Sequence, residues 1–261
     1  MIGIRLRAAA IVVAVALVSG ACSFSPLNHH IKIGEESFAI FVAEGVDHHV
    51  DLFAVPGTGG TAAQLTFTAL IETHPRLSPR GDVVAFLRMR DTLPGTPRDV
   101  VLMNLLGGGE VTIPMPASAG TPQLVAWADD ETMLYIRTDR GAWQANAPPA
   151  KPDAKPVPAA SAAVADSMLQ LWLGTPRFAR AFSCPVGICV VGANGDTTAV
   201  AHNGTDPMRW GPDSLAWFDR NTIVVRSLGP GNSRIISWEN GPNNPHDGTF
   251  AAAPPGATDS L

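Results

Sequence analysis

Pro75-Arg76-Leu77-Ser78-Pro79-Arg80-Gly81-Asp82-Val83-Val84-Ala85-Phe86 is one unit made of an extended entry, a polar turn and a strand. The unit recurs. Trp127-Ala128-Asp129-Asp130-Glu131-Thr132-Met133-Leu134-Tyr135-Ile136 lies on Leu77 to Phe86 without a gap, 50 residues further on. A third copy, Trp210-Gly211-Pro212-Asp213-Ser214-Leu215-Ala216-Trp217, is shorter by two and begins 83 residues after Trp127, which leaves room for a degenerate copy between. The strand that follows the unit recurs more often, at residues 51–57, 99–104, 141–146, 187–192 and 221–226, with first-residue separations of 48, 42, 46 and 34. A short edge-like strand comes after each, at 63–66, 110–113, 155–157, 197–200 and 234–237.

A period of about 40–50 residues with about four short strands per unit is the signature of a β-propeller. One four-stranded blade cannot bury both faces alone; blades packed face to face around an axis can. Residues 31–240 are therefore expected to form an all-β propeller, five-bladed from the five copies, or six-bladed if residues 167–182 hold a further sheet. Leu77, Phe86, Trp127, Tyr135 or Ile136, Trp210 and Trp217 are expected at equivalent positions between blades. The 25 glycines and 23 prolines break the chain too often for long helices, and the formal charge of −5 offers no basic field for nucleic acid. Residues 144–167 read as a Pro/Ala loop and 241–261 as a loose tail rich in Gly, Pro, Asn and Ala.

The unit at 75–86, followed by Asp99-Val100-Val101-Leu102-Met103-Asn104, resembles the TolB-type propeller repeat, roughly P-x-W-S-P-D-G-x-x-I-A-F and then D-I-Y-V-M-D. Leu77 stands where that repeat has Trp, Arg80 where it has Asp, and its Pro is lost at Asp129. The resemblance implies protein partners in the cell envelope. Only residues 23–30 lie between Cys22 and the first strand, so the α/β domain that precedes the propeller in TolB is expected to be absent.

Residues 1–21 read as an export signal, with Arg5 and Arg7 ahead of an uncharged apolar run from Ala8 to Ser19 that is too short to span a bilayer. Leu17-Val18-Ser19-Gly20-Ala21-Cys22 resembles a bacterial lipobox, departing from it at Ser19. The resemblance implies cleavage before Cys22, a diacylglycerol on its sulfur, an acylated new amino terminus and residues 22–30 as a lipidated tether. The protein is then extracytoplasmic and membrane-anchored; Ser23 implies the periplasmic face of the outer membrane in a diderm host, and a monoderm host would place it at the cell surface.

Cys184 and Cys189 flank Pro185-Val186-Gly187-Ile188. With Val186-Gly187 as a two-residue turn they face each other across a hairpin, Cα atoms about 4.5 Å apart, just inside the range for a disulfide. Free thiols and a C-x₄-C metal half-site are the alternatives; no second pair is spaced to complete the metal site.

His48-His49 and His29-His30 are the obvious metal candidates, but neighbours on a strand point to opposite faces, and a solvated turn is the simpler role. His74, ahead of Pro75, reads as a turn or cap. Asp129-Asp130-Glu131, the densest acidic cluster, falls where the repeat puts a turn, and Asp91, Asp139 and Asp219 recur after second strands as turn residues do. There is no G-x-S-x-G, and Gly57-Thr58-Gly59-Gly60 opens no helix. Trp172 and Trp238 lie off the best-defined strands and are candidates for surface binding. No catalytic residue, metal ligand or cofactor is assigned. The expectation is a binding or scaffold propeller of the cell envelope, held to the membrane by lipid; the alternative is an envelope hydrolase or lyase acting on carbohydrate, which converging carboxylates or histidines in the channel would mark.

Overall fold

The computed structural model describes residue 27 and residues 31–251, apart from 94, 149, 170–177, 211–213, 230–231 and 240. Cys22, His29, His30 and Trp172 lie outside the described residues. The chain opens with β1 (Phe38–Glu44), β2 (Val50–Pro56) and β3 (Ala63–Gln64) of the first blade. The second blade is β4 (Glu72–Leu77), β5 (Val83–Met89), β6 (Arg98–Asn104) and β7 (Glu110–Ile113). The third is β8 (Pro122–Trp127), β9 (Met133–Thr138), β10 (Gly141–Asn146) and β11 (Lys155–Pro156), followed by the helix α1 (Ala162–Leu169). The fourth has β12 (Phe178–Cys184), β13 (Gly187–Gly192) and β14 (Thr197–Ala201) among the described residues. The fifth is β15 (Thr205–Trp210), β16 (Ser214–Asp219), β17 (Thr222–Ser227) and β18 (Ser233–Ser237), after which β19 (Asn243–Ala251) returns to pair with β1.

These antiparallel sheets form a five-bladed propeller, and no sixth sheet occurs among the described residues. The strands that recur five times in the sequence are the third and fourth of each blade: β2, β6, β10, β13 and β17, then β3, β7, β11, β14 and β18. The expectation that 241–261 is a loose tail is corrected for residues 243–251. They form β19, the fourth strand of the first sheet, in the order β19-β1-β2-β3. The ring is thus closed by one sheet drawn from both ends of the chain, with β19 packed between β15 and β4. The innermost described strands are β4, β8, β15 and β19, and each carries a β-bulge.

Period-two alternation fills the gaps between blades. On β5, Val84 and Phe86 enter the core shared with the first blade, while Ala85 and Leu87 enter the core shared with the third. On β1, Phe38, Ile40 and Val42 face the second blade, and Ala39, Phe41 and Ala43 face the fifth. Leu77, Phe86, Trp127, Ile136 and Trp217 take inter-blade places on the side of the preceding blade, as expected. Trp210 does not. It pairs with Ser214 and enters the core with the first blade, stacked on Phe250 at 3.5 Å between ring centroids. Arg209, opposite Leu215, holds the register position that Leu77 holds opposite Val84, and a slip of one residue moves a side chain to the other face.

The two ends of the ring differ. At the turn end, residues 78–82 and 128–132 join innermost strands to second strands. Gly81, with φ +76°, sits so close to Ala251 that a Cβ there would be 3.0 Å from the Ala251 Cβ, and Arg80 pairs with Glu131 of the next blade. At the loop end lie residues 45–49, 65–71, 90–93, 95–97, 114–121 and 157–169. The chain enters β1 from the turn end, where the Gly57 N–H donates to the Ser37 carbonyl at 2.7 Å.

Cys184 and Cys189 form a disulfide with Cα atoms 5.9 Å apart. Its register differs from the expected one. The turn is Pro185-Val186, so Cys184 faces Gly187 and Cys189 faces Phe182. The cysteines are diagonal neighbours on one face, which explains the longer Cα distance.

Candidate functional site

The segment from 65 to 71 carries the chain from the first blade to the second and is built on two buried carboxylates. Asp51 and Glu72 are both 0 % exposed. The Thr66 hydroxyl lies 2.8 Å from Asp51 Oδ1 and 3.4 Å from Glu72 Oε2, and it accepts the Leu52 N–H at 2.9 Å. Gln64 Nε2 donates to Asp51 Oδ2 at 3.0 Å, and the Thr68 backbone N–H donates to the same carboxylate. The Thr68 hydroxyl donates to Glu72 Oε1 at 2.8 Å. Arg88 completes the group: its Nε donates to Glu72 at 2.7 Å and its two terminal nitrogens grip Glu110 at 2.7 and 2.9 Å, with the guanidinium over the Phe86 ring.

Loss of solvent raises the Asp51 carboxyl above the ordinary aspartate range, against the pull of Thr66, Thr68 and Gln64. Burial raises Glu72 as well, opposed by Arg88 and Thr68. A network of this kind holds one geometry, because any partner that leaves strands a buried charge. What it holds is Phe67. Its neighbours Thr66 and Thr68 are both fastened to the carboxylates, while the Phe67 side chain is 77 % exposed. Val46, Leu93 and Val186 are exposed apolar tips of other loops on the same end of the ring.

Replacing Arg88 tests the network. Arg88→Met leaves Glu72 without its cation and is expected to cost about 2–3 kcal/mol at pH 7 by chemical denaturation. This is less than the full cost of a broken buried pair, since Glu72 can take up a proton instead. The sign with pH follows from the raised carboxyls. The folded state binds more protons than the unfolded one just above the ordinary carboxylate range, so their contribution to stability is present at low pH and is lost as pH rises through the raised values. The deficit of Arg88→Met is expected to shrink between pH 7 and pH 5; a constant deficit contradicts the assignment.

A second polar group lies where β4 meets β19 on the inner wall. His74, Asp206 and Asp247 have left-handed backbones with φ of 54°, 49° and 47°, each at the bulge of an innermost strand. His74 is therefore a strand residue and not the turn or cap expected of it. Its Nδ1 is 3.6 Å from Asp247 Oδ2, and the Asp247 carboxylate accepts the His74 backbone N–H at 3.4 Å. Burial lowers the His74 imidazole; Asp247 opposes this, and Arg76, Arg98 and His246 reinforce it. Arg76 folds back on the Pro75 carbonyl at 2.7 Å, and its own carbonyl accepts the Trp127 indole N–H at 2.8 Å.

The remaining candidates occupy local roles. His48 sits in the 45–49 loop against Glu44, whose carboxyl it lowers, and His49 pairs with Asp47. Asp130 accepts the Thr132 N–H and hydroxyl inside its turn, and Asp139 accepts the Thr121 N–H. Among the described residues no group of three His, Cys, Asp or Glu side chains could hold a metal ion. Trp238 is half-buried, stacked on Phe41 at 4.8 Å with its N–H on the Pro242 carbonyl, so it walls the core between the fifth and first blades. Asp51, Glu72, Arg88 and Phe67 were not singled out by the sequence reading; the one local signal was a Phe between two threonines after an edge strand.

The chain is similar to two solved structures. One is TolB from Acinetobacter baumannii, 11 % identical, with 87 % of this chain and 69 % of that chain covered and a TM-score of 0.43. The other is a putative TolB from Agrobacterium tumefaciens, 13 % identical, with 84 % and 74 % covered and a TM-score of 0.36. No protein-family model and no curated protein sequence matches the chain. The propeller itself is established by the order of the sheets and the closure through β19.

Proposed function

We propose that this chain is an extracytoplasmic propeller, anchored by lipid at Cys22, that binds a protein of the cell envelope through the loop end of its ring. The observation that carries the reading is the Thr66-Phe67-Thr68 clasp. Two carboxylates are buried at a cost in solvation so that an exposed aromatic side chain has one fixed backbone. Rigid exposed aromatics are typical anchors of protein interfaces, because little conformational entropy is lost when they are covered. No helix among the described residues is long and apolar enough to cross a membrane.

The second reading, a hydrolase or lyase acting on carbohydrate, draws on the His74–Asp247 pair at the inner wall. A glycosidase needs two carboxylates flanking a reachable bond. The carboxylates joined through Thr66 are both sealed from solvent.

The test is capture from detergent-solubilised envelope with the wild-type chain, Phe67→Ala and Leu106→Ala. The reading expects an envelope protein held by wild type and by Leu106→Ala and released by Phe67→Ala, all three chains unfolding at the same temperature. Equal capture by Phe67→Ala contradicts it.

A further inference from the structure

We infer that the ring stands on the membrane by its turn end, with the loop end and Phe67 directed away from the lipid surface. The inference rests on the lipid anchor at Cys22 proposed above and adds to it an orientation. Leu27 is 1 % exposed and belongs, with Ile31, to the core between the first and second blades; Leu105, at the start of the 105–109 turn, belongs to the same core. Leu27, the first described residue after Cys22, is therefore a plug into the body of the ring. Four residues lie between Cys22 and Leu27, and the five Cα-to-Cα steps of a fully extended chain span about 17 Å. The chain then enters β1 at the turn end, where the Ser37 carbonyl is tied to Gly57. A strand of seven residues such as β1 is about 23 Å long, so the stretch from Cys22 to Leu27 is shorter than the height of a blade.

The surface at that end fits a neutral lipid surface held by the tether. Leu106 is exposed at the tip of the 105–109 turn, ahead of Gly107, Gly108 and Gly109. Asp129 and Asp130 are exposed in the 128–132 turn at the same end of the ring, so adsorption to anionic headgroups is disfavoured and the acyl chains supply the attachment. The occupant of the turn end is thus the uncharged headgroup layer, and the protein partner takes the opposite end.

The experiment uses the full-length chain, processed in a bacterial host, purified in detergent and reconstituted into phosphatidylcholine vesicles with a rhodamine-labelled lipid. A donor dye is attached by azide chemistry at residue 106 or, in a separate preparation, at residue 93, both exposed leucines at opposite ends of the ring. Energy transfer to the lipid is expected to be severalfold higher from 106 than from 93. A long Gly/Ser insert after Ser25 is expected to abolish the difference while flotation with the vesicles persists. A chain that does not float overturns the anchor, and the orientation with it. A chain that floats but transfers equally from both positions, or more from 93, overturns the orientation alone.

Discussion

A chain cut after residue 242 does not fold cooperatively. The cut removes β19, the innermost strand of the first sheet, and uncovers the edge of β1 along its whole length. It removes Phe250 from the face of Trp210 and takes Thr249 Oγ1 from the Leu77 N–H. It also ends the packing of β19 against β15 and β4, which joins the last blade to the second. β1 and β2 still face both neighbours, but the inner parts of both interfaces of the first blade are left open to water where β19 covered them. Domains of this size are stable by only about 5–15 kcal/mol, and losing a closing strand exceeds that margin. Urea titration followed by far-ultraviolet circular dichroism checks this. A cooperative transition near the midpoint of the full chain contradicts closure through β19.

Trp127→Ala is expected to destabilise the protein by about 3–5 kcal/mol. Trp127 is 8 % exposed and fills the core between the second and third blades with Ala85, Leu87, Val100, Leu102 and Ile136. Truncation leaves a cavity the size of an indole and strips the Arg76 carbonyl of its donor. Trp127→Phe keeps most of the volume and loses the N–H bond, so it separates the two effects; the bond is worth about 1 kcal/mol. Denaturant midpoints at unchanged slope measure both. A loss below 1 kcal/mol for Trp127→Ala contradicts the inter-blade placement.

The residues that were legible in the sequence are those whose neighbours are local. Third strands such as β6 carry an apolar run closed by turn residues, fourth strands such as β7 alternate polar and apolar residues, and their recurrence is visible without a fold. Innermost strands are different. In β19, Asn243-Asn244-Pro245-His246-Asp247-Gly248-Thr249-Phe250-Ala251 has the composition of a loop, because a bulged strand at the axis pairs on one side only and needs no unbroken apolar face. The face of Trp210 was lost to a slip of one residue, and the Cys184–Cys189 pair was placed one step out because either Pro185-Val186 or Val186-Gly187 can make the turn.

The candidate site was less legible still. Asp51, Glu72 and Arg88 are far apart in sequence and meet only because residues 65–71 cross from one blade to the next. An aspartate at the head of a strand and an arginine near the end of another look like ordinary surface residues until the blades are stacked. Phe67 lies one residue beyond the edge-like strand at 63–66, and nothing in the repeat marks it. Its exposed position follows from the bonds of Thr66 and Thr68 to carboxylates that come from other strands.

The most direct measurement of the account is photo-crosslinking in intact host cells from a benzophenone-bearing phenylalanine at position 67, compared with the same group at position 106. The account predicts one crosslinked envelope protein from position 67, displaced when the unlabelled wild-type chain is co-expressed and absent from position 106. Crosslinks from 106 without any from 67, or none displaced by the unlabelled chain, would contradict binding through the loop end.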